Sequence, residues 1–392
     1  MIVGVPKETF AGERRAALVP AALDRLAKIN LDVVIEAGAG SSAGFSDEQY
    51  EHKGARIATR GDALAADVVL QVRALGANPE GSAADLEVMK SGAVLVAQCE
   101  PLSQPEQVQR AAERGITAFA MELIPRISRA QSMDVLSSMA SIAGYKSVLM
   151  AANTLSKMFP MMITAAGTIT PAKVFVVGAG VAGLQAISTA RRLGAVVEAY
   201  DVRAAVKQEV ESLGATFIEL ELETSAAEGK GGYAKALDED FYRRQREMML
   251  RVVAESDVVI TTAAVPGKKA PILLTREMVD QMKPGAVVID LAAERGGNCE
   301  LTQPGETAME HGVAIVGPVN LPSTIPFHAS QMYARNLSNF LLLLAPEGEV
   351  NVNLEDEIIR ETLLCHQGEV AHPMLRERLG LEPAAETQSE GS

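Results

Sequence analysis

The chain has 392 residues, of which 48% are apolar and only 4% aromatic, and its formal net charge is −14. This length allows two or three domains with aliphatic cores, and the acidic balance argues against a nucleic-acid partner, because nucleic-acid binders carry basic patches. Three widely spaced cysteines indicate a reducing compartment and predict neither a disulfide framework nor a metal site.

The first 125 residues alternate short apolar strands with helical patterns, which is typical of a parallel α/β sheet. The N-terminus begins directly as a strand rather than as a signal peptide. One helix is expected at 20–29, and another begins after Ser46, where Gln49 completes a capping box. Strands are expected at 2–5, 33–36, 68–72, 94–97 and 117–120.

A polar cluster follows between residues 126 and 138. If this segment is helical, Gln131, Asp134 and Ser138 lie at i, i+3 and i+7 on one face. Their amide, carboxylate and hydroxyl groups suit the binding of a carboxamide such as that of nicotinamide. The alternative is a domain hinge with a solvated polar face. The cluster comprises Arg126, Ser128, Arg129, Gln131, Asp134, Ser137 and Ser138.

A glycine-rich turn within 174–183 is the most informative motif of the chain. Four apolar residues predict a buried strand, and Gly178, Gly180 and Gly183 follow in the spacing G-x-G-x-x-G, with a helical pattern from Val181 onward. The first glycine allows a tight turn, the second a close approach of phosphate, and the third close packing of helix on strand. Such a turn places a pyrophosphate at a helix N-terminus, where free N–H groups and the helix dipole favour an anion. The alternative is a glycine-rich turn that binds nothing.

An acidic residue ends the second strand of this βαβ unit. Asp201 follows the apolar run 196–200 and lies 18 residues beyond Gly183, close to the offset of about 20 in dinucleotide-binding units. Its carboxylate would bind the adenosine ribose and repel a 2′-phosphate, so we expect NAD rather than NADP. Arg203 could soften that preference.

Between residues 219 and 240 the alternation of strands and helices breaks. The segment contains three glycines and one aromatic residue, Tyr233. A long loop with glycines at this point is a candidate lid over a bound ligand. The alternative is a surface insertion without a role in binding.

Two long helical stretches, 133–158 and 330–344, lie on either side of the glycine motif and its later strands at 258–262, 286–291 and 313–316. No apolar run reaches about 18 residues, so no transmembrane helix is expected. We predict an α/β fold with two Rossmann-like domains, parallel sheets, long connecting helices and a cleft between the domains. The predicted parts are an N-terminal domain of 1–137 with 328–380, a dinucleotide-binding domain of 138–327, and a disordered polar tail of 381–392.

The positions of the histidines bear on the chemistry. Dehydrogenases that oxidise an alcohol or an amine usually need a general acid/base, most often His or Lys. Hydride transfer between two nicotinamides needs none, because no heteroatom proton has to move. No histidine lies near the glycine motif or the polar cluster in sequence, which weakly favours the second chemistry. The five histidines are His52, His311, His328, His366 and His372.

With these residues in view, the chain resembles the NAD(H)-binding component, domain I, of proton-translocating NAD(P) transhydrogenases. The resemblance covers about residues 1–378. It is carried by the segments 121–134, 161–167, 178–203, 231–234, 261–267 and 294–298.

The resemblance implies a particular reaction and set of partners. This chain would bind NAD(H), a second component would bind NADP(H), and a membrane-spanning component would couple hydride transfer to proton translocation. The transhydrogenase would be Si/Re-specific, and this chain active only with its partners. It would be a homodimer in the cytoplasm, held peripherally at the inner membrane.

The resemblance also implies the site residues. Gln131 would orient the dihydronicotinamide, and Tyr233 would lie on a mobile loop that closes over the nucleotide. The catalytic set is Arg126, Gln131, Asp134, Ser137 and Tyr233. The NAD(H)-binding set is Arg126, Ile127, Ser128, Gln131, Ser132, Met133, Asp134, Gly178, Ala179, Gly180, Val181, Gly183, Asp201, Val202, Arg203, Gly232, Gln245 and Ala264.

Two other functions are considered. Alanine dehydrogenases share the two-domain fold and hold their keto acid with an Arg, a Lys and a catalytic His. Arg15 could match that Arg, but the Lys-bearing strand end has Gln71 and Arg73, and Gln98 stands where the His is needed. An imine reduction would then lack its acid. The third possibility is an NADH-binding sensor that transfers no hydride.

Overall fold

The structure is a computed structural model that describes residues 1–219, 239–264 and 267–382, the side chains of 239–242 excepted. The strands are β1 (Ile2–Val5), β2 (Asp32–Glu36), β3 (Arg56–Ala58), β4 (Val68–Arg73), β5 (Val94–Gln98), β6 (Thr117–Ala120), β7 (Met162–Thr164), β8 (Gly167–Ile169), β9 (Lys173–Val177), β10 (Val196–Tyr200), β11 (Thr216–Phe217), β12 (Val258–Thr261), β13 (Val287–Asp290), β14 (Thr307–Glu310), β15 (Val313–Val316), β16 (Leu363–His366) and β17 (Glu369–Val370). The helices are α1 (Pro20–Ala27), α2 (Asp47–His52), α3 (Arg60–Leu64), α4 (Pro79–Val88), α5 (Pro105–Glu113), α6 (Val135–Thr154), α7 (Val181–Arg192), α8 (Lys207–Ser212), α9 (Glu239–Glu255), α10 (Arg276–Asp280), α11 (Pro326–Leu344), α12 (Glu357–Thr362) and α13 (Pro373–Arg378).

The chain divides into two compact units. The first combines residues 1–139 with 323–392, and the second is the continuous stretch 140–322. The sequence-based division, after 137 and before 328, differs from these units by two residues at one boundary and five at the other. The first unit is therefore discontinuous in sequence, with the whole second unit inserted between its parts.

The first unit is built on a mostly parallel sheet with the strand order β17-β16-β6-β5-β4-β1-β2-β3. The six strands β1 to β6 pair in parallel. β16 pairs antiparallel with β6, and β17 antiparallel with β16. β4 and β5 are buried nearly along their whole length, as expected for parallel strands covered on both faces. Their apolar runs made these strands predictable, whereas β3, β16 and β17 were not predicted.

Helix boundaries in the first unit follow local sequence signals. The capping box predicted between Ser46 and Gln49 is present, and the Gln49 side chain accepts a hydrogen bond from the Ser46 N–H at 2.9 Å. α11 begins at Pro326, four residues before the predicted start at 330. Proline suits the first helical position because its missing N–H would have no partner there.

The second unit contains a seven-stranded sheet with the order β11-β10-β9-β12-β13-β15-β14, parallel except for β14. β9 lies inside the sheet between β10 and β12. Its side chains alternate between two cores: Val174 and Val176 face one, Phe175 and Val177 the other. Crossover helices such as α7 cover a sheet of this kind. The predicted fold class, α/β with two domains of parallel-dominated sheets, is confirmed.

The segment before α6 differs from the prediction. We expected one helix over 133–158, but residues Ser128–Met133 form a 3-10 turn, and α6 spans Val135–Thr154. Asp134 between them has extended backbone angles. Because the helix breaks there, the expected single face carrying Gln131, Asp134 and Ser138 does not form.

Helix α6 also bears on the membrane expectation. By length and composition alone it is apolar enough to cross a membrane, which the inspection of apolar runs did not anticipate. The core helix of a soluble protein passes the same test. Val148 and Ala151 of α6 are fully buried in the core of the second unit, packed with residues of its sheet.

Candidate functional site

The glycine-rich turn joins β9 to α7 in the second unit, and its three glycines differ in their surroundings. Gly178 has a φ of +99°, a conformation that other residues adopt only with strain. A Cβ on Gly183 would lie 1.8 Å from the carbonyl oxygen of Gly178, so only glycine allows this packing. A Cβ on Gly180 would meet nothing within 4 Å. The backbone at Gly180 therefore faces open space at the start of α7, where a helix leaves N–H groups for an anion.

The carboxylate of Asp201 braces this turn. It accepts a hydrogen bond from the Ala179 N–H at 2.8 Å. Three further bonds come from Arg203: its N–H at 2.9 Å, Nε at 3.0 Å and Nη2 at 2.9 Å. A carboxylate offers about four acceptor positions, so a ribose hydroxyl that donates to Asp201 has to displace part of the Arg203 interaction.

The loop after β12 is fastened to the glycine turn. The Thr262 hydroxyl donates to the carbonyl of Gly178 at 3.0 Å. Asn298, fully buried, accepts from the Ala263 N–H at 3.0 Å and donates to the carbonyls of Ala263 and Pro271, both at 2.8 Å. The exposed Ala264, a predicted cofactor contact, thus follows a residue whose backbone is fully engaged.

A buried carboxylate at the end of β13 supports Asn298 in turn. Asp290 is 0% exposed and accepts from the N–H groups of Asn298 at 2.7 Å and Cys299 at 3.0 Å. Hydroxyls of Thr261 and Thr302 donate to it at 3.0 and 2.6 Å. Sequence reasoning missed both Asp290 and Asn298, although an acid at the carboxyl end of a parallel strand is a usable signal.

Gln245, another predicted cofactor residue, is buried on α9. Its Nε2 donates to the Tyr200 hydroxyl at 3.2 Å, beside the strand that ends at Asp201. Burial raises the pKa of Tyr200 well above its ordinary value, so the phenol stays neutral at physiological pH. Gln245 therefore contacts the last residue of β10, which Asp201 follows directly.

The polar cluster lies in the first unit, where Asp134 and Ser137 interact directly. Asp134 accepts from the Ser137 N–H at 2.9 Å and from its hydroxyl at 2.5 Å. It thereby caps the N-terminus of α6. Arg129 forms a two-pronged ion pair with Asp356, at 2.6 and 2.9 Å. The Gln131 side chain is exposed and makes no hydrogen bond within the described part of the chain.

The predicted site residues thus fall into two groups, each assembled within its own unit. Gly232 and Tyr233 lie outside the described residues, as does most of the predicted lid. The first unit contains Arg126, Ile127, Ser128, Gln131, Ser132, Met133, Asp134 and Ser137. The second contains Gly178, Ala179, Gly180, Val181, Gly183, Asp201, Val202, Arg203, Gln245 and Ala264.

The residues that an alanine dehydrogenase would use have a different setting. Arg15 is 3% exposed and holds both carboxylate oxygens of Glu13, at 2.8 and 2.7 Å. Arg73 also reaches Glu13, at 3.2 Å, and its guanidinium lies 4.4 Å from the centre of the Phe10 ring. Gln98, at the end of β5, presents an amide that cannot act as a general acid.

Three carboxyl groups of the first unit, one buried and two half-buried, have shifted pKa values. Burial raises the pKa of Glu8 to about 8 and that of Glu122 to about 7. Burial opposes ionisation of Glu13 as well, but the hydrogen bonds and charge of Arg15 outweigh it and hold its pKa at about 2. Glu8 accepts from the N–H groups of Val72 and Arg73, at 2.6 and 3.2 Å, where β4 loses its regular register with β5.

One group of metal-ligand residue types lies close together on the surface of the second unit. His311 Nε2 is 3.3 Å from Asp280 and 3.7 Å from Glu310. Glu310 is also paired with Arg276 at 2.7 Å. Exposed acidic groups of this kind are common without an ion, so the group identifies no metal centre.

Comparison with known proteins shows which family the chain belongs to. The model of the alanine dehydrogenase/PNT N-terminal domain matches residues 4–143, and that of the C-terminal domain matches 147–373. An NAD(P) transhydrogenase alpha-subunit chain of Rhodospirillum rubrum is 47% identical over 380 residues, covering 96% of this chain and 99% of that one. A solved transhydrogenase of Sinorhizobium meliloti is 46% identical, with a TM-score of 0.86 over 94% of this chain and 100% of that one.

Alanine dehydrogenase of Bacillus subtilis is a more distant relative, at 28% identity over 397 residues, with 97% of this chain and 96% of that one covered. The chain belongs to the alanine dehydrogenase/PNT family, whose models together match almost all of it. Within that family its similarity to the transhydrogenase alpha subunits is the stronger, which confirms the resemblance found in the sequence and supports an oxidoreductase component that binds a nicotinamide nucleotide.

Proposed function

We propose that this chain is the NAD(H)-binding component of a proton-translocating NAD(P) transhydrogenase, and that hydride passes directly between its NADH and NADP⁺ held by a partner. The observation that carries the proposal is the turn at the start of α7, where Gly180 leaves room for a pyrophosphate that a Cβ would restrict. Bound NADH supplies the hydride. The protein supplies binding and orientation, which are large contributions in such a reaction.

In this proposal the residues of the second unit hold the adenosine half of the nucleotide. The N–H groups at Gly180 and Val181 bind the pyrophosphate. Asp201 accepts from the ribose, with Arg203 shifting to release one or more of its hydrogen bonds. Gln245 and Ala264 border the same region, and Gly232 with Tyr233 belongs to the expected lid.

The residues of the first unit serve the nicotinamide half. Gln131 presents an exposed amide that can both donate to and accept from a carboxamide. Asp134 and Ser137 are joined by two hydrogen bonds and form a preorganised polar pair next to it. Arg126 completes the proposed set. Neither a histidine nor a lysine is required, in keeping with transfer between two nicotinamides.

The proposed partners follow from the same assignment. An NADP(H)-binding component supplies the second nicotinamide, and a membrane-spanning component couples the Si/Re-specific transfer to proton translocation. The chain would then work at the cytoplasmic side of the inner membrane. The proposed homodimer has a candidate surface at the β7–β8 hairpin, where Met161, just before β7, is 59% exposed and Ile163 79%. Contiguous exposed apolar residues of this kind often mark an interaction surface.

The alternative is an alanine dehydrogenase-like reduction of a keto acid. It is favoured by the shared fold and by Arg15, but Gln98 offers no acid for the imine or carbonyl. The relative with that activity is also less similar than the transhydrogenase subunits.

Mixing the purified chain with the NADP(H)-binding component of a transhydrogenase tests the proposal. Hydride transfer from NADPH to an NAD analogue is followed spectroscopically, with NADH-dependent reduction of pyruvate plus ammonia assayed in parallel. We expect exchange only when both components are present and a loss of about 10-fold or more in Gln131→Asn, whose shorter side chain displaces the amide by more than about 1 Å. Turnover of pyruvate without exchange would reject the proposal in favour of the dehydrogenase, and nucleotide binding without either reaction would favour the sensor.

A further inference from the structure

Two asparagine side chains of α11 converge on one backbone carbonyl in the segment that carries Gln131. Asn336 and Asn339 each donate from Nδ2 to the carbonyl oxygen of Ser132, both at 2.9 Å. They are three residues apart and therefore share a helix face. A carbonyl oxygen has two lone pairs, so this asparagine fork, Asn336 and Asn339 on Ser132, uses the full capacity of that acceptor.

The fork acts on a segment with little support of its own. Ser128–Met133 is a 3-10 turn, whose hydrogen-bond geometry is poorer than that of an α-helix. The ion pair of Arg129 with Asp356 fastens it on one side of Gln131, and the fork fastens it on the other. Gln131 itself contributes no side-chain hydrogen bond among the described residues. The position of its amide is therefore set by its neighbours.

The orientation of both asparagine amides is determined by their partners. Oδ1 of Asn339 accepts from Arg25 Nη1 at 3.0 Å, which directs its Nδ2 towards Ser132. Asn336 is 5% exposed, and its Oδ1 is buried without a hydrogen-bond partner among the described residues. A buried acceptor without a partner is destabilising. An asparagine at this position is accounted for by what its Nδ2 holds, rather than by packing.

We propose that Asn336 and Asn339 are positioning residues for hydride transfer, which hold the Ser132 carbonyl so that Gln131 presents its amide in one place. The inference rests on the proposed function, in which Gln131 orients the dihydronicotinamide. Positioning errors of about 1 Å reduce transfer rates by up to about 100-fold. The fork therefore affects the rate of transfer more than it affects the affinity for NADH, because the adenosine half is held by other residues.

Asn339→Asp is the variant that isolates the fork. The aspartate keeps the size of the side chain and the acceptor for Arg25, but it removes the donor to Ser132. Asn339 is only half-buried, so the charge does not have to enter the core. Asn336→Ala removes the second donor, and Asn153→Asp, at an exposed position of α6, is the matched control. The full-length variants are assayed with the NADP(H)-binding component.

Three measurements are made on each variant: the hydride-transfer rate at saturating nucleotide, the NADH dissociation constant, and hydrogen exchange of the peptide covering 128–134. For Asn339→Asp we expect a transfer rate lowered about 10-fold, an NADH dissociation constant changed less than about twofold, and faster exchange in that peptide. The variant that combines Asn336→Ala with Asn339→Asp should transfer hydride more slowly still. Asn339→Gln, which has a donor where Asn339→Asp has none, should recover part of the transfer rate. The control matches the wild type throughout.

Unchanged exchange in 128–134 would show that the fork does not hold the segment, and an unchanged transfer rate would show that holding it does not matter; either overturns the inference. The inference is also overturned if Asn339→Asp weakens NADH binding by the same factor as it slows hydride transfer. It is overturned as well if Asn339→Asp slows transfer while Gln131→Ala stays fully active. If the wild-type chain transfers no hydride with any partner, the proposed function fails, and the positioning role fails with it. The exchange measurement then still decides whether the fork holds the segment.

Discussion

Asp134 and Ser137 are joined twice at the start of α6, through the backbone N–H and the hydroxyl of Ser137. Loss of an N-cap costs about 1 kcal/mol, so Asp134→Ala should lower the melting temperature by about 2–4 °C. Asp134→Ser separates the two roles of this residue, because serine caps helices well but has no carboxylate. We expect Asp134→Ser to melt like the wild type and yet to transfer hydride more slowly. Full activity in Asp134→Ser would leave Asp134 with the capping role alone.

The glycine turn offers a pair of substitutions that separate folding from binding. Gly183→Ala should disrupt the second unit, because its Cβ would lie 1.8 Å from a backbone oxygen. Gly180→Ala meets no atom within 4 Å and should fold normally. If the pyrophosphate approaches this point, Gly180→Ala should weaken NADH binding by about 10-fold, or about 1.4 kcal/mol. Thermal unfolding and NADH titration of both variants test this, and normal binding by Gly180→Ala would remove the pyrophosphate from this turn.

The exposed hairpin predicts a defined effect on oligomeric state. Ile163→Asp replaces a side chain that is already 79% exposed, so the fold should be unaffected. If a second copy covers this residue, the dimer dissociation constant should rise by about 30-fold or more, the effect expected for an interface hot spot. Met309→Asp, at a position of 64% exposure elsewhere in the second unit, is the control. Sedimentation velocity over a range of concentrations gives the result, and equal dissociation constants for the two variants would argue against the hairpin.

The raised pKa of Glu8 predicts a pH dependence of stability. The folded chain keeps its proton up to about pH 8, whereas the unfolded chain loses it near 4.5. Unfolding therefore becomes easier as pH rises through this range, by on the order of 2 kcal/mol for this partly exposed residue. Glu8→Gln should remove part of the decline and be the more stable protein at about pH 8–9.

Melting temperatures measured from about pH 5 to 9 test this expectation. Glu122 has a pKa of about 7, so the melting temperature of Glu8→Gln should still fall with rising pH, but by less than that of the wild type. Glu13 affects the free energy of unfolding with the opposite sign, because its lowered pKa stabilises the fold only where the carboxylate is ionised. The stability that Glu13 contributes is therefore lost as the pH falls below 4.5. Parallel curves for Glu8→Gln and the wild type would contradict the assignment of the decline to Glu8.

The parts of the fold that could be predicted are those encoded locally. Parallel strands such as β4 and β5 are continuous apolar runs, and the turn at Gly178 has its own spacing. Asp134 also carries a local signal, because Asp before an apolar run is typical of an N-cap. The helical spacing of the apolar residues extends to both sides of Asp134, and it therefore predicts a start for α6 that is too early.

The parts that could not be predicted join residues far apart in the chain. Asn336 and Ser132 are separated by 204 residues, and nothing near either position indicates the other. Asn298 reaches Ala263 across 35 residues, and β16 pairs with β6 after the whole second unit has intervened. β3 is short and partly exposed, so it has no apolar run to reveal it. Single-sequence patterns carry no information about such pairings.

The insertion of the second unit into the first has a consequence for biosynthesis. The second unit is continuous, so its sheet can close as soon as its own residues leave the ribosome. β6, in contrast, gains its neighbour β16 only after more than two hundred further residues have been made, counting from 120 to 363. Until then its edge offers unpaired N–H and C=O groups to any other strand. We therefore expect the nascent chain to be most prone to aggregate during the interval in which its second unit is already complete.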